Sequence, residues 1–122
     1  MVSTMVFSVM NKYSNNRRNL TNLLLSIYPG SVVYEHEKPA EVISCLREHT
    51  VDAAIWELTG NDSQDLSYLN TIKTQNQGTK FLICAEDDAL LDEAMWNGAS
   101  MYLIKPVMPE QIQAALDTNK KV

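Results

Sequence analysis

The sequence predicts an α/β fold: a five-stranded parallel sheet doubly wound with five helices. Three observations carry that expectation. Five short apolar runs alternate strictly with five segments of helical period. The runs are apolar at consecutive positions, as strands are when helices cover both faces of a parallel sheet. The length of 122 residues accommodates one such domain, residues 1–122, without an internal linker, repeat or low-complexity tract. Crossovers between the strands are then right-handed.

Each element has its own warrant. Met5-Val6-Phe7-Ser8-Val9 is the first apolar run. Leu20, Leu23, Leu24 and Ile27 recur at helical spacing; Ser14, Asn15 and Asn16 are N-cap candidates, and Pro29-Gly30 is the stop. Ser31-Val32-Val33-Tyr34 is the second strand candidate. Pro39 opens a second helix, with Val42, Ile43 and Leu46 on one face. Ala53-Ala54-Ile55-Trp56 is the third run. A polar stretch from Thr59 to Gln64 follows, with Gly60-Asn61-Asp62-Ser63 as its turn signal. Leu66, Leu69 and Ile72 mark a third helix, which Gln75-Asn76-Gln77-Gly78 stops. Phe81-Leu82-Ile83-Cys84 is the fourth strand. Asp87 or Asp88 is expected to cap a fourth helix over Ala89 to Asn97, ended by Gly98. Met101-Tyr102-Leu103-Ile104 is the fifth strand. Pro109 opens the last helix, with Ile112, Ala115 and Leu116 inward.

Composition narrows the function classes. Lys+Arg 10 against Asp+Glu 15 leaves a net charge of −5, which argues against direct nucleic-acid binding. Lys120 and Lys121 are too few to change that. Cys45 and Cys84 make no disulfide framework and no Cys-x-x-Cys pair, which fits a reducing, cytoplasmic setting. No apolar run approaches the roughly 18 residues of a membrane span, and Met1 to Met10 lacks the basic start of a signal peptide.

In a doubly wound sheet, the functional crevice lies beyond the carboxyl ends of the strands, at the switch in strand order. The residues to read there are Met10 and Asn11, Glu35, Glu57, Cys84 and Ala85, and Lys105. The most specific stretch is Gly98-Ala99-Ser100-Met101-Tyr102-Leu103-Ile104-Lys105-Pro106. With Val51 to Glu57 and Phe81 to Ala85, it resembles the receiver domain of two-component response regulators, a flavodoxin-like, CheY-like fold. The resemblance covers almost the whole chain. The spacings fit as well: 27 residues from Glu57 to Cys84 and 21 from Cys84 to Lys105.

The resemblance implies a phosphoacceptor pocket, and the sequence departs from it. Met10 and Asn11 stand where the family carries two magnesium-binding acids. Glu57 stands at the phosphoacceptor aspartate, and Cys84 at a Ser/Thr. The loop after Glu57 lacks the family's proline. Lys105, Pro106 and Tyr102 remain of the switch apparatus. Magnesium is expected to bind weakly or not at all, because it favours carboxylate oxygens and methionine offers a soft sulfur. Glutamate also places its carboxylate about one C–C bond, ~1.5 Å, beyond that of aspartate. Efficient phosphorylation is therefore not expected. Glu57 is either a built-in charge in a permanent ion pair with Lys105 or a solvated carboxylate in a decayed pocket.

Cys84 reads as a small buried side chain rather than a nucleophile, since no histidine base is placed beside it. Cys45 reads as helix packing. His36 and His49 lack ligand spacing, and Glu35 and Glu37 flank His36 on an expected loop. Glu86, Asp87, Asp88, Asp92 and Glu93 complement the start of helix four. On that helix Trp96 falls opposite Leu90 and Ala94, with Leu91 and Met95 on the flank and Tyr102 on the next strand. Receiver-like domains use the helix four–strand five–helix five face for partners. Leu91, Met95, Trp96 and Tyr102 are thus the candidate interface, for a protein partner, an output domain or a homodimer.

The reading is a pseudo-receiver, a non-enzymatic signalling domain acting by protein–protein contact. It is expected as a stand-alone adaptor or as the regulatory part of a longer regulator, such as a transcription factor. The alternatives are a working phosphoacceptor with an unusual site, a small-ligand-binding flavodoxin-like module and a thiol enzyme centred on Cys84. Against the flavin version stands Met10-Asn11-Lys12-Tyr13, in place of a phosphate-cradling loop.

Overall fold

Five strands, β1 (Val6–Met10), β2 (Val32–His36), β3 (Ala53–Glu57), β4 (Lys80–Ala85) and β5 (Met101–Ile104), pair in parallel in the order β2-β1-β3-β4-β5. Five helices connect and follow them: α1 (Ser14–Ile27), α2 (Pro39–Glu48), α3 (Ser63–Gln75), α4 (Leu91–Trp96) and α5 (Pro109–Leu116). The computed structural model describes residues 4–59, 63–75 and 78–117. Gly60 to Asp62 of the predicted turn, Asn76-Gln77 of the predicted helix stop, Lys120 and Lys121 lie outside the described residues, as does the start of the chain to Ser3.

Alternation along the strands divides the core in two. Met10, Ala54, Trp56, Phe81 and Ile83 face α2, α3 and α4, where they meet Val42, Leu46, Leu66, Leu69, Ile72 and Ala94. Phe7, Val9, Ile55, Leu82 and Leu103 face α1 and α5, where they meet Leu20, Leu24, Ile112 and Ala115. Both faces of β1, β3 and β4 are covered, which is why those segments read as continuous apolar runs. Full burial of a side chain such as Phe7 contributes roughly 1.5–3 kcal/mol. No helix among the described residues is long and apolar enough to cross a membrane.

Three local expectations change. Helix α1 begins at Ser14, with Tyr13 as N-cap and no side-chain cap bond, so Ser14, Asn15 and Asn16 lie inside the helix. Asn11 shapes the entry instead: its Oδ1 accepts the Tyr13 N–H at 2.8 Å. Strand β2 runs on to His36, so Glu35 and His36 belong to the sheet rather than to a loop. Helix α4 starts at Leu91, later than Ala89. Asp87 caps no helix; its Oδ1 accepts the Ala89 N–H at 3.0 Å in a turn, and the Asp88 carbonyl accepts the Leu91 N–H at 3.1 Å. Short polar side chains that bond two residues ahead favour a turn over a helix, which is what shortens α4.

Gly98, the predicted stop, has φ +105°, and a Cβ there would lie 2.9 Å from Lys73 Cδ. The lysine tip can move, whereas the backbone conformation strains any L side chain. Gly98→Ala is expected to cost about 1–3 kcal/mol in urea unfolding. Gly78→Ala, with nothing within 4 Å of the added carbon, should stay within about 0.5 kcal/mol of the parent.

Candidate functional site at the carboxyl edge of the sheet

The strand order reverses between β1 and β3, so the crevice expected of this topology opens beside their carboxyl ends. Side chains alternate across a sheet, and this alternation sorts the candidate residues. Met10 pairs with Trp56 in register, and both are buried on the α2–α3–α4 face. Met10 is therefore a core residue turned away from the crevice, which corrects its expected place in the pocket. Asn11, one residue on, points to the α1–α5 face and is buried. Glu57 and Cys84 stand side by side in register on that same face. The position after Asn11 is Lys12, an exposed residue.

Asn11 organises this edge. Its Nδ2 donates to Glu57 Oε1 at 3.0 Å, and its Oδ1 accepts the Tyr13 amide. Those two bonds fix which end of the amide is which. Its carbonyl accepts Arg17 Nη1 at 2.6 Å, tying the first turns of α1 to the end of β1. Behind it, Glu35 accepts the Thr21 hydroxyl at 2.8 Å and pairs with Arg17 at 3.9 Å and Arg18 at 3.4 Å.

Glu57 is half-buried, and burial pushes its carboxyl above the usual range, against the Asn11 hydrogen bond and the nearby Lys105 charge. The expected Glu57–Lys105 ion pair is not formed. Lys105 Nζ donates to the Leu58 carbonyl at 3.1 Å and lies 3.6 Å from Glu86 Oε2. Glu57 has no ion-pair partner among the described residues. The lysine acts on the carboxylate through space, while its own protons go to the backbone of the next residue. Its pair with the exposed Glu86 is a surface pair of small worth. Lys105 joins Pro106 through a cis peptide bond.

Cys84 is buried, and burial, aided by the neighbouring Glu57 charge, pushes its thiol up to about 12. Thiolate chemistry at neutral pH is thereby disfavoured. Cys45 is buried on α2. His49 stacks on Tyr34 at 4.3 Å between ring centroids, with the Tyr34 hydroxyl 3.2 Å from its Nδ1. Among the described residues, no three His, Cys, Asp or Glu side chains group as a metal-ion site.

Away from the crevice, the Tyr102 hydroxyl donates to the Asp87 carbonyl at 2.7 Å, fastening edge strand β5 to the turn before α4. On α4, Trp96 is 87% exposed, and Leu91 and Met95 are exposed as well. Ile104 on β5 and Met108 before α5 are also exposed, and the sequence reading did not include them. An exposed isoleucine at the end of an apolar run marks an edge strand, a status that depends on strand order.

Among the described residues, one cleft borders Glu57 and another borders the start of α2. A cleft of about 250 Å³ is lined by Asn16, Asn19, Leu20 and Leu23 of α1, by Glu57, and by Val107. A wider one of about 670 Å³ is lined by Lys38, Pro39 and Ala40, by Asp65, Ser67 and Tyr68, and by Glu93, without any of the candidate residues. The smaller cleft was within reach of the sequence as a signal, because residues 16, 19, 20 and 23 share a helical face.

No family model and no curated protein matches the chain. Solved structures match its fold closely. A response regulator from Thermotoga maritima superposes with a TM-score of 0.80 at 18% identity, over 95% of this chain and 100% of that one. A response regulator from Burkholderia pseudomallei, solved with a phosphorylated aspartic acid, a calcium ion and citrate, gives 0.81 at 21% identity over 94% and 68%. A predicted pilus assembly-related protein from the same species gives 0.82 at 17% identity over 93% and 87%. The chain thus has the five-stranded, CheY-like fold of receiver domains.

Two outcomes follow from the site. Glu57 is held protonated more readily in the fold than in the unfolded chain. That stability is present below the ordinary carboxylate range and is lost as pH rises through the raised folded value. Glu57→Gln should therefore unfold at higher urea than the parent at neutral pH, and the gap should close in acid. Cys84 should react with iodoacetamide far more slowly than free cysteine in the native state, and at the free rate in urea.

Proposed function

We propose that this chain is a receiver-like signalling domain that acts by protein–protein contact without a phosphorylated intermediate. The observation that carries the reading is the Asn11–Glu57 hydrogen bond at 3.0 Å, at the strand ends where a receiver's acids would meet. Aspartyl phosphorylation spreads charge over three oxygens, which a divalent ion and preorganised donors must neutralise. Here Glu57 is the carboxylate beside Asn11, and one of its oxygens is taken by that amide. The Asn11 oxygen is taken by the Tyr13 amide. Magnesium prefers an octahedron of oxygens anchored by carboxylates, so this donor set counts against it. The Cys84 thiol is buried and offers no hydroxyl.

The output then depends on surfaces. Trp96, Met95 and Leu91 on α4 and Ile104 on the edge strand are exposed apolar side chains. Aromatic and methionine side chains with this exposure match the composition of interface cores. We assign this side, including Tyr102, to a protein partner, an output domain or a second copy of the chain. A place within a longer transcription regulator belongs to the same proposal.

Incubation with acetyl phosphate and magnesium chloride, followed by intact-mass measurement, tests the reading. The mass should stay unchanged. The amide signals of Asn11, Glu57 and Lys105 should not respond to magnesium chloride alone. Gain of one phosphoryl group mapped to Glu57 overturns the proposal.

A further inference from the structure

We propose that the cleft beside Glu57 binds a small organic ammonium ion, a protonated primary amine carrying a short apolar arm. The argument begins with a carboxylate lacking a cation. Glu57 is half-buried; Asn11 satisfies Oε1, and no described residue pairs with the group as an ion. The nearby cations are committed elsewhere: Lys105 to the Leu58 carbonyl and Glu86, and Arg17 and Arg18 to Glu35. A carboxylate that has lost water gains most from a charged donor placed against its remaining oxygen.

The cleft supplies the rest of the fit. Its volume of about 250 Å³ suits a small molecule rather than a nucleotide. Leu20, Leu23 and Val107 give it an apolar side, and the exposed Asn16 and Asn19 add amide oxygens that can accept further N–H bonds. Other ligand classes fit less well. An anion meets the Glu57 charge directly, while Lys105, Arg17 and Arg18 already face other acceptors. A divalent ion finds a single carboxylate and leaves the apolar side unused. A neutral hydrocarbon covers the carboxylate without pairing it, which costs free energy. An alkylammonium satisfies both sides at once. Lys105 still repels it through space, so binding should be weak, with a millimolar dissociation constant. The inference goes beyond the signalling proposal, because it needs the Glu57 carboxylate whether or not that group accepts a phosphoryl group.

The test is an NMR titration of the full chain with n-butylammonium chloride, with sodium chloride and n-butanol as controls. Saturable shifts are expected at the Asn16 and Asn19 side-chain amides and at the methyls of Leu20, Leu23 and Val107. Glu57→Gln should weaken binding by about tenfold or more. Asn19→Lys, a change at an exposed position, should block it by placing a resident ammonium in the cleft. Absence of saturable shifts overturns the proposal, as does equal affinity for butanol. Retained affinity in Asn19→Lys also overturns it, and that variant decides the matter if Glu57→Gln does not fold. Stronger shifts with magnesium chloride than with butylammonium at the same residues would overturn it too.

Discussion

One side-chain amide joins the two central strands at the edge where this fold concentrates its chemistry. Asn11 spends its nitrogen on Glu57, its oxygen on the Tyr13 amide and its carbonyl on Arg17. The end of β1, the entry to α1 and the end of β3 are thereby held in one arrangement. An aspartate at this position could hold the turn, but it would set two carboxylates against each other where the amide now donates. Asparagine is neutral and carries both a donor and an acceptor, so it removes that repulsion. Among the described residues, the acid left beside Asn11 is Glu57, at the border of a small cleft.

Lys105 illustrates the same constraint from the other side of the site. A lysine facing a pair of acids would be drawn toward them. Facing one carboxylate already engaged by Asn11, it donates to the Leu58 carbonyl, directly beyond Glu57 in the chain. The interaction with Glu57 survives only at a distance, where it opposes the effect of burial without overcoming it. The site is therefore neither a locked ion pair nor a solvated ruin. It is a partly dry carboxylate held by one hydrogen bond and bordered by a small cleft.

Much of the fold was readable because burial on both faces writes itself as consecutive apolar residues, and helices write theirs every three or four. Strands β1, β3, β4 and β5 fall within a residue or so of the runs that announced them. The misses have physical causes. The α1 cap candidates were sought next to the helix, whereas Asn11 acts from the strand end and shapes the turn. The fourth helix was drawn too long because Asp87 and Asp88 serve turns as readily as caps. Met10 was placed in the crevice beside Asn11, although adjacent strand residues face opposite sides. That error was avoidable from period alone. The Glu57–Lys105 separation was not, since it depends on where loops carry side chains that lie far apart in the chain.

The two tryptophans occupy opposite extremes of environment: Trp56 has no exposed surface, and Trp96 is 87% exposed. Indole emission follows the polarity around the ring, so the chain carries two resident reporters that answer separate questions. Trp56 sits in the innermost strand, one residue from Glu57, and registers the integrity of the sheet. Trp96 stands in water on α4 and is open to a collisional quencher. Shielding of the outer signal while the inner one holds steady would mark docking on that helix, free of any added label and distinct from a change in folding.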